Sequence, residues 1–293
     1  MEQLERLTAR LDNVQAVEPI LNALRAISSS SRLMALGRFK SVSQFRDELA
    51  HILAWVRPRV TRARRAPNVQ AKPSGPRLLL VVGSERGLCG AFNEVVVDHA
   101  QQVLARHEAA GIPVQLVTLG ARARQALQRG DRSPLPAGRL ATTGLPPYAL
   151  ADQLAEEWLR RYEARDLRGV DVIYNSYQGL ARHEPRTSRL LPADIPYDSP
   201  SELTWSPWIE TDPVALYDRL VRLWLSATLY ALLLEASAAE HSARFRLLEG
   251  ASQNAENLID ELRLFLQTAR QDAITAELQD LASGAGLLGR RSD

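Results

Sequence analysis

Cysteine is almost missing from this sequence: Cys89 is the only one among 293 residues. An internal disulfide framework is therefore excluded, and any redox pairing would have to be intermolecular. Lysine is nearly as scarce. Lys40 and Lys72 stand against 34 arginines (36 basic residues less those two), an imbalance that fits codon bias in a GC-rich genome. Neither lysine follows a glycine, so the G-x-x-x-x-G-K-[ST] phosphate loop is absent. The five histidines form no H-E-x-x-H and have no Cys-x-x-Cys companions, and no G-x-S-x-G elbow occurs. Metal and serine-nucleophile chemistry are thus unsupported, and no cofactor is expected. Long hydrophobic runs are lacking too. Leu223 to Leu234, LWLSATLYALLL, is twelve residues bounded by Arg222 and Glu235, against the roughly 20 that a membrane helix needs. It reads as a buried helix segment. The first fifteen residues mix acids and bases and lack the apolar core of a signal peptide, so a soluble protein is expected. With 45% apolar and 24% charged residues and a net charge of +2, the chain is neither disordered nor collagen-like and has ample material for a core.

Proline divides what is present. Fifteen of the sixteen prolines lie between Pro58 and Pro213, and from Val214 to Ser283 the only Gly or Pro is Gly250. That stretch can be helix nearly throughout, about 105 Å of it. In its second half Ala251, Ala255, Leu258, Leu262, Phe265, Ala269, Ala273 and Ala276 recur at helical spacing. At the other chain end the same is true of Leu4, Leu7, Leu11, Val14, Val17, Ile20, Leu24 and Ile27. Residues 1–65 carry twelve bases and six acids (+6), while 212–293 carry eight bases and twelve acids (−4). Two long helices of opposite charge predict an antiparallel coiled coil. Pro19 either kinks the first helix or marks its effective start.

The middle has a different rhythm. RLLLVVG (77–83), PVQLVTL (113–119) and VDVIY (170–174) read as strands, and 187–191 as an edge strand. Helical stretches at about 93–109, after Gly120, and at 149–165 separate them, so βαβ units with a mostly parallel sheet are predicted. The fold class is α/β: a long antiparallel coiled coil of N- and C-terminal helices with an inserted Rossmann-like α/β domain. Its expected parts are an N-terminal coiled-coil helix (1–65), the α/β domain (77–205) and a C-terminal coiled-coil helix (210–286).

Several motifs admit two readings. Gly284-Ala-Gly286-Leu-Leu-Gly289 matches G-x-G-x-x-G but follows a helix instead of a strand, so it reads as a helix-ending tail. The turn Ser84-Glu-Arg-Gly-Leu-Cys-Gly-Ala-Phe-Asn93 could admit a phosphate, or its glycines could simply supply positive φ between strand and helix. Five arginines in Arg57–Arg65 could face nucleic acid, but no aromatics interleave. A solvated or partner-facing helix end is the better reading. On the last helix Arg270 and Glu277, seven apart, share a face, while Gln271 and Thr275 share another. By spacing alone this is a polar helix end able to touch partners on more than one side.

At these residues the sequence resembles the gamma subunit of F-type ATP synthases over nearly the whole chain. The similarity is carried by Ala239-Glu-His-Ser-Ala-Arg244, Leu258-Ile-Asp-Glu-Leu262, Ala269-Arg-Gln271, Ile274-Thr-Ala-Glu277-Leu and the 84–93 turn. A weaker match places Ile20, Ala23 and Leu24 on the family's I-T-x-A-M positions. The resemblance implies a non-catalytic central-stalk rotor. Its terminal helices would sit inside a ring of alternating alpha and beta subunits, its α/β domain would stand beside the c-ring, and an epsilon-type subunit would be a further partner. No nucleic acid and no membrane span of its own are implied. The complex would be peripheral on the cytoplasmic face of a bacterial inner membrane. Residue by residue, the resemblance implies that Arg270 and Gln271 contact the beta-subunit catch loop and that Arg244, Thr275, Glu277, Asp280 and Leu24 tune coupling. It also implies that Trp205, Trp208 and Glu210 belong to the foot facing the c-ring. Leu24 stands where the family usually has Met, Ser28–Ser31 replace Ala-Ala-Ala-Lys, and Leu247-Leu248 replace Ala-Met. These departures imply a divergent member, as in an alternative bacterial F-type ATPase. Two further readings of the residues stand beside this one: a Rossmann-like nucleotide-binding enzyme with a helical dimerisation arm, and a coiled-coil adaptor.

Overall fold

The computed structural model describes residues 2–63, 75–130, 132–141, 144–180, 182–195 and 208–288. In chain order the elements are α1 (Glu2–Ala63), β1 (Arg77–Val82), α2 (Phe92–Ala109), β2 (Val114–Leu119), α3 (Ala121–Arg129), β3 (Leu135–Gly138), α4 (Tyr148–Glu163), β4 (Gly169–Tyr177), β5 (His183–Leu191) and α5 (Pro213–Leu288). They fall into two compact units, one of Ile27–Arg246 and one of Met1–Ala26 with Leu247–Asp293.

The larger unit is built on a five-stranded sheet of order β3-β2-β1-β4-β5, parallel except for the antiparallel β4–β5 pair. β1 lies at its centre, which explains its unbroken apolar sequence. Leu78, Leu80 and Val82 face one hydrophobic cluster and Leu79 and Val81 the other. On the second side Val96, Val97, Ala100, Val103 and Leu104 of α2 and Ala123 and Leu127 of α3 cover the sheet. On the first, α4 contributes Leu154, Trp158 and Leu159. Leu49, Leu53 and Val56 of α1 join them, with α5 residues from Leu220 to Ala236. The apolar run 223–234 is therefore core: Leu225 and Leu229 are buried without remainder at 1% and 0% exposure. Among the described residues α5 holds the one window apolar enough by composition to cross a membrane, and 72% of that window is buried inside the protein. The two edge strands discourage further pairing: β3 is four residues long and contains Pro136, and β5 carries Pro185, Glu184, Arg186 and Arg189. Asp212 starts α5 by accepting the N–H groups of Val214 and Ala215 at 3.3 and 3.1 Å, with Pro213 at the first helical position.

The smaller unit is made of helix alone. On α5 the buried positions are Leu248, Ser252, Ile259, Leu262 and Leu266, with Ala255 and Ala269 half-buried. Their spacing alternates between three and four, the 3.5-residue repeat of a coiled-coil seam. On α1 the half-buried set Leu4, Leu7, Leu11, Val14, Glu18, Leu21 and Arg25 follows the same repeat. Here the structure corrects the stripes read from apolar character. Val17 and Ile20 are 48% and 59% exposed, and Ile27, in the larger unit, is 46% exposed. On α5 Leu266 takes the buried place expected for Phe265, which is 57% exposed, and Ala273 and Ala276 are exposed. A seam at 3.5 residues drifts about 20° per heptad from a straight 3.6-residue stripe, so over three heptads the two select different residues. Pro19 is exposed and interrupts nothing: α1 is helical on both sides of it.

Candidate partner-binding surfaces

In an open α/β sheet the ligand crevice lies beyond the carboxyl ends of the strands where the order reverses, here between β1 and β4. In this protein that place is filled by the chain itself. Cys89 and Phe92 of the turn after β1 bury against Ala239 of α5, with Tyr177 and Ala243 packed around them. Asn175 Nδ2 donates to the carbonyl of Phe92 at 2.8 Å. The turn's polar groups are consumed internally. The Ser84 N–H donates to Asn93 Oδ1 at 2.9 Å, Asn93 Nδ2 donates to Ser84 Oγ at 2.8 Å, and Ser84 Oγ donates to the Arg86 carbonyl at 2.7 Å. Glu85 caps the start of α3, accepting the N–H of Ala121 (3.2 Å) and also that of Leu140 (2.8 Å). A Cβ on Gly83 would meet that of Ala123 at 2.3 Å, so this glycine permits close strand–helix approach. Burial pushes the Cys89 thiol up, which leaves it unreactive.

What the crevice grips is α5. Glu235 accepts from Tyr174 Oη at 3.1 Å and from Ser176 Oγ at 2.6 Å, and Ser226 Oγ donates to Asp152 at 2.7 Å. Ser242 Oγ donates to the Leu180 carbonyl at 2.9 Å. Burial, then the neighbouring Glu235 charge, drives the Tyr174 hydroxyl up, so it stays a donor. Arg244 belongs to this set. It is 8% exposed, and its guanidinium pairs with Glu240 at 2.6 Å, donates to the Gly87 carbonyl at 3.3 Å and lies 3.3 Å from His241 Nδ1. Burial pushes the Glu240 carboxyl up while Arg244 pulls it back. Burial and the same arginine bring His241 down to about 4, keeping its imidazole neutral. The resemblance placed Arg244 among coupling residues; its side chain is committed inside the larger unit.

The expected contact residues toward the end of α5 have no such ties. From Arg270 to Ser283 every residue of α5 is exposed. Arg270, Gln271, Glu277 and Asp280 make no side-chain ion pair or hydrogen bond among the described residues. Thr275 Oγ1 donates only to the Gln271 carbonyl one turn back, at 2.8 Å. Ile274, Leu278 and Leu281, 58%, 61% and 70% exposed, form an apolar stripe at i, i+4 and i+7 beside these charges. An apolar and charged face bare together has the composition of an association surface. Leu24 is half-buried in the smaller unit. Trp208 is 88% exposed and Glu210 is exposed, ahead of the Asp212 cap, while Trp205 lies outside the described residues. Among the described residues no group of three His, Cys, Asp or Glu side chains converges as a metal would require.

Glu85, Asp152 and Glu235 escaped the reading of the sequence. The one signal for Glu235 was its place directly after an apolar run, where a carboxylate must find buried donors.

Comparison with known proteins agrees with this architecture. The family described as ATP synthase matches residues 3–288. Among curated proteins the ATP synthase gamma chain of Granulibacter bethesdensis is 28% identical over 307 residues, spanning 98% of this chain and all of the relative. That of Synechococcus sp. strain PCC 6716 is 29% identical over 320 residues with the same coverage. Among solved structures, a chain of the Euglena gracilis mitochondrial ATP synthase (OSCP/F1/c-ring, rotational state 3) superposes with a TM-score of 0.63 at 15% identity. It covers all of this chain and 97% of that one. One from the Tetrahymena thermophila mitochondrial central stalk/c-ring gives 0.56 at 19% identity over 80% of this chain and 99% of that one. By its sequence from residue 3 to 288, this chain belongs to the ATP synthase gamma-chain family.

Proposed function

We propose that this chain is the central-stalk rotor subunit of an F-type ATP synthase, turned by the c-ring and biasing the catalytic sites of a surrounding alpha/beta hexamer. Chemistry belongs to the partners, and the chain's own part is mechanical. The observation that carries this reading is the contrast along α5: fastened by Glu235, Ser242 and Arg244 within the larger unit, and bare from Arg270 to Ser283. A rotor needs both, a grip that passes torque into the helix and a surface for another protein. Arg270 and Gln271 contact the beta-subunit catch loop, and Thr275, Glu277, Asp280 and Leu24 set how tightly rotation and site closure are linked. Ile274, Leu278 and Leu281 give this face its apolar contacts with the alpha and beta subunits. Arg244 acts on coupling through the packing of its own unit. Trp208 and Glu210, with Trp205, form the foot toward the c-ring, and an epsilon-type subunit docks on the α/β part. The three parts are an N-terminal coiled-coil helix, an α/β domain and a C-terminal coiled-coil helix. The complex stands on the cytoplasmic face of a bacterial inner membrane.

The energetics are those of a population shift. Moving a site from 1:99 to 99:1 open against closed takes about 5.5 kcal/mol of differential contact. A handful of charged and apolar contacts that exist in only one rotational position supplies that amount.

The test is reconstitution with alpha and beta subunits from the same genome. A stable complex with one copy per three alpha/beta pairs is expected, with ATP hydrolysis weakened by Arg270→Ala combined with Gln271→Ala. No complex, or full hydrolysis in the double variant, overturns the assignment of this surface.

A further inference from the structure

The crevice between β1 and β4 is filled by α5, yet a neighbouring cleft stays open. It lies beyond the carboxyl ends of β2 and β3 against the first turn of α3, with a volume of about 630 Å³. That is within the roughly 300–1,000 Å³ of small-molecule sites. Arg124 of α3 and Arg139, directly after β3, line it. Neither guanidinium has an ion pair or hydrogen bond among the described residues. Glu85 forms part of the wall, but its two oxygens already accept the N–H groups of Ala121 and Leu140. Thr118 also lines the cleft. As a residue it is 2% exposed, and its hydroxyl makes no hydrogen bond among the described residues. The segment 120–140 concentrates positive charge: Arg122, Arg124, Arg129, Arg132 and Arg139 against Asp131, five bases less one acid, or +4.

We propose that this cleft is an anion site for a phosphate-bearing ligand, bound by the Arg124 and Arg139 guanidiniums with the Thr118 hydroxyl as a third donor. Two planar forks at one cleft suit the several oxygens of a phosphate group. A hydroxyl with no internal partner supplies a donor at no cost to the fold. The same chemistry is offered by a free phosphate compound and by a phospholipid headgroup.

Pyrophosphate titrated into the full chain by calorimetry is the test. Saturable binding is expected, weakened about tenfold or more by Arg124→Ala with Arg139→Ala and less by Thr118→Val. Arg122→Ala serves as control, because Arg122 is exposed, lies outside the cleft lining and points to Gln125 at 3.4 Å. The double variant keeps the parent's thermal midpoint, since neither arginine ties the fold together. Vesicles of phosphatidylglycerol against phosphatidylcholine separate the sources. Sedimentation with the anionic vesicles that pyrophosphate reverses and the double variant loses assigns a headgroup; pyrophosphate binding without sedimentation assigns a soluble compound. Absence of saturable binding, or binding unchanged in the double variant or equally reduced by Arg122→Ala, overturns the site. The titration needs no alpha or beta subunit, so its failure leaves the rotor reading untouched.

Discussion

The two compact units of this chain satisfy their residues in opposite ways. In the larger, α5 is mostly buried from Leu223 to Arg244, and several of its polar groups are met from within: Glu235 by Tyr174 and Ser176, Glu240 by Arg244, Ser226 by Asp152. In the smaller, the same helix buries a seam of one residue in three or four as far as Leu266, and from Arg270 to Ser283 it buries nothing. One unit holds its stretch of the helix with its own side chains. The other presents groups that water alone satisfies, which is the condition of a surface made for a partner.

That contrast can be broken at its strongest point first. Arg244→Ala leaves Glu240 without its partner in a largely buried place and is expected to destabilise the protein by about 4 kcal/mol in urea unfolding. A loss under 1 kcal/mol would mean the pair is solvated and the grip on α5 loose. Leu229→Ala, at a position with 0% exposure, is expected to cost about 3 kcal/mol. Leu278→Ala, at 61% exposure, should stay within about 0.5 kcal/mol. Equal effects of the two would erase the distinction between the units.

A third measurement uses pH. His241 is held down to about 4, first by burial and then by Arg244, against an ordinary value near 6.5. Between those values the unfolded chain binds a proton that the folded chain does not, so stability falls as pH drops from about 6.5 to 4, by up to about 3 kcal/mol. Glu240, whose carboxyl is raised by burial, works the other way, since its folded form favours the proton. His241→Gln should therefore flatten the acid side of the stability profile. An unchanged slope would show the imidazole to be solvated.

The smallest effects sharpen the comparison from the other side. Arg270→Ala with Gln271→Ala, and Thr275→Val, should each leave the thermal midpoint of the isolated chain within a degree or two, corresponding to about 0.5 kcal/mol or less. Any consequence of these changes then belongs to the assembled complex. A large midpoint shift would reveal an internal role for that face.

Some of this was legible in the sequence and some was not, for identifiable reasons. β1 was plain because a strand buried on both faces is apolar throughout, as Leu78–Val82 are, whereas only the apolar part of β4 around Val170–Tyr174 was legible and its end, with buried Asn175 and Ser176, was not. β3, Leu-Pro-Ala-Gly, carries no strand signal of its own and exists through its pairing with β2, Val117 opposite Leu135. β5 begins at His183, earlier than its apolar end at 190–191 suggested, because its first residues are edge positions where charge and proline are tolerated. The missing basic residue among Ser28–Ser31 has a neighbour in Arg32, but that guanidinium is turned inward, 9% exposed and 3.3 Å from Tyr177 Oη.

The sequence by itself determined the element types and their order, β3 apart. Proline placement, glycine turns and apolar periodicity are local constraints on backbone dihedrals and on which side of an element can meet water. Tertiary structure alone decided the phase of the helix seam, which put Leu266 inward and Phe265 outward, since a coiled coil selects by 3.5 residues where a lone helix offers 3.6. It also decided that Arg244 is a fastener within the larger unit while Arg270 on the same helix stays bare. Two arginines have the same chemistry in sequence, and only the surroundings, carbonyls and a carboxylate for one and water for the other, tell them apart.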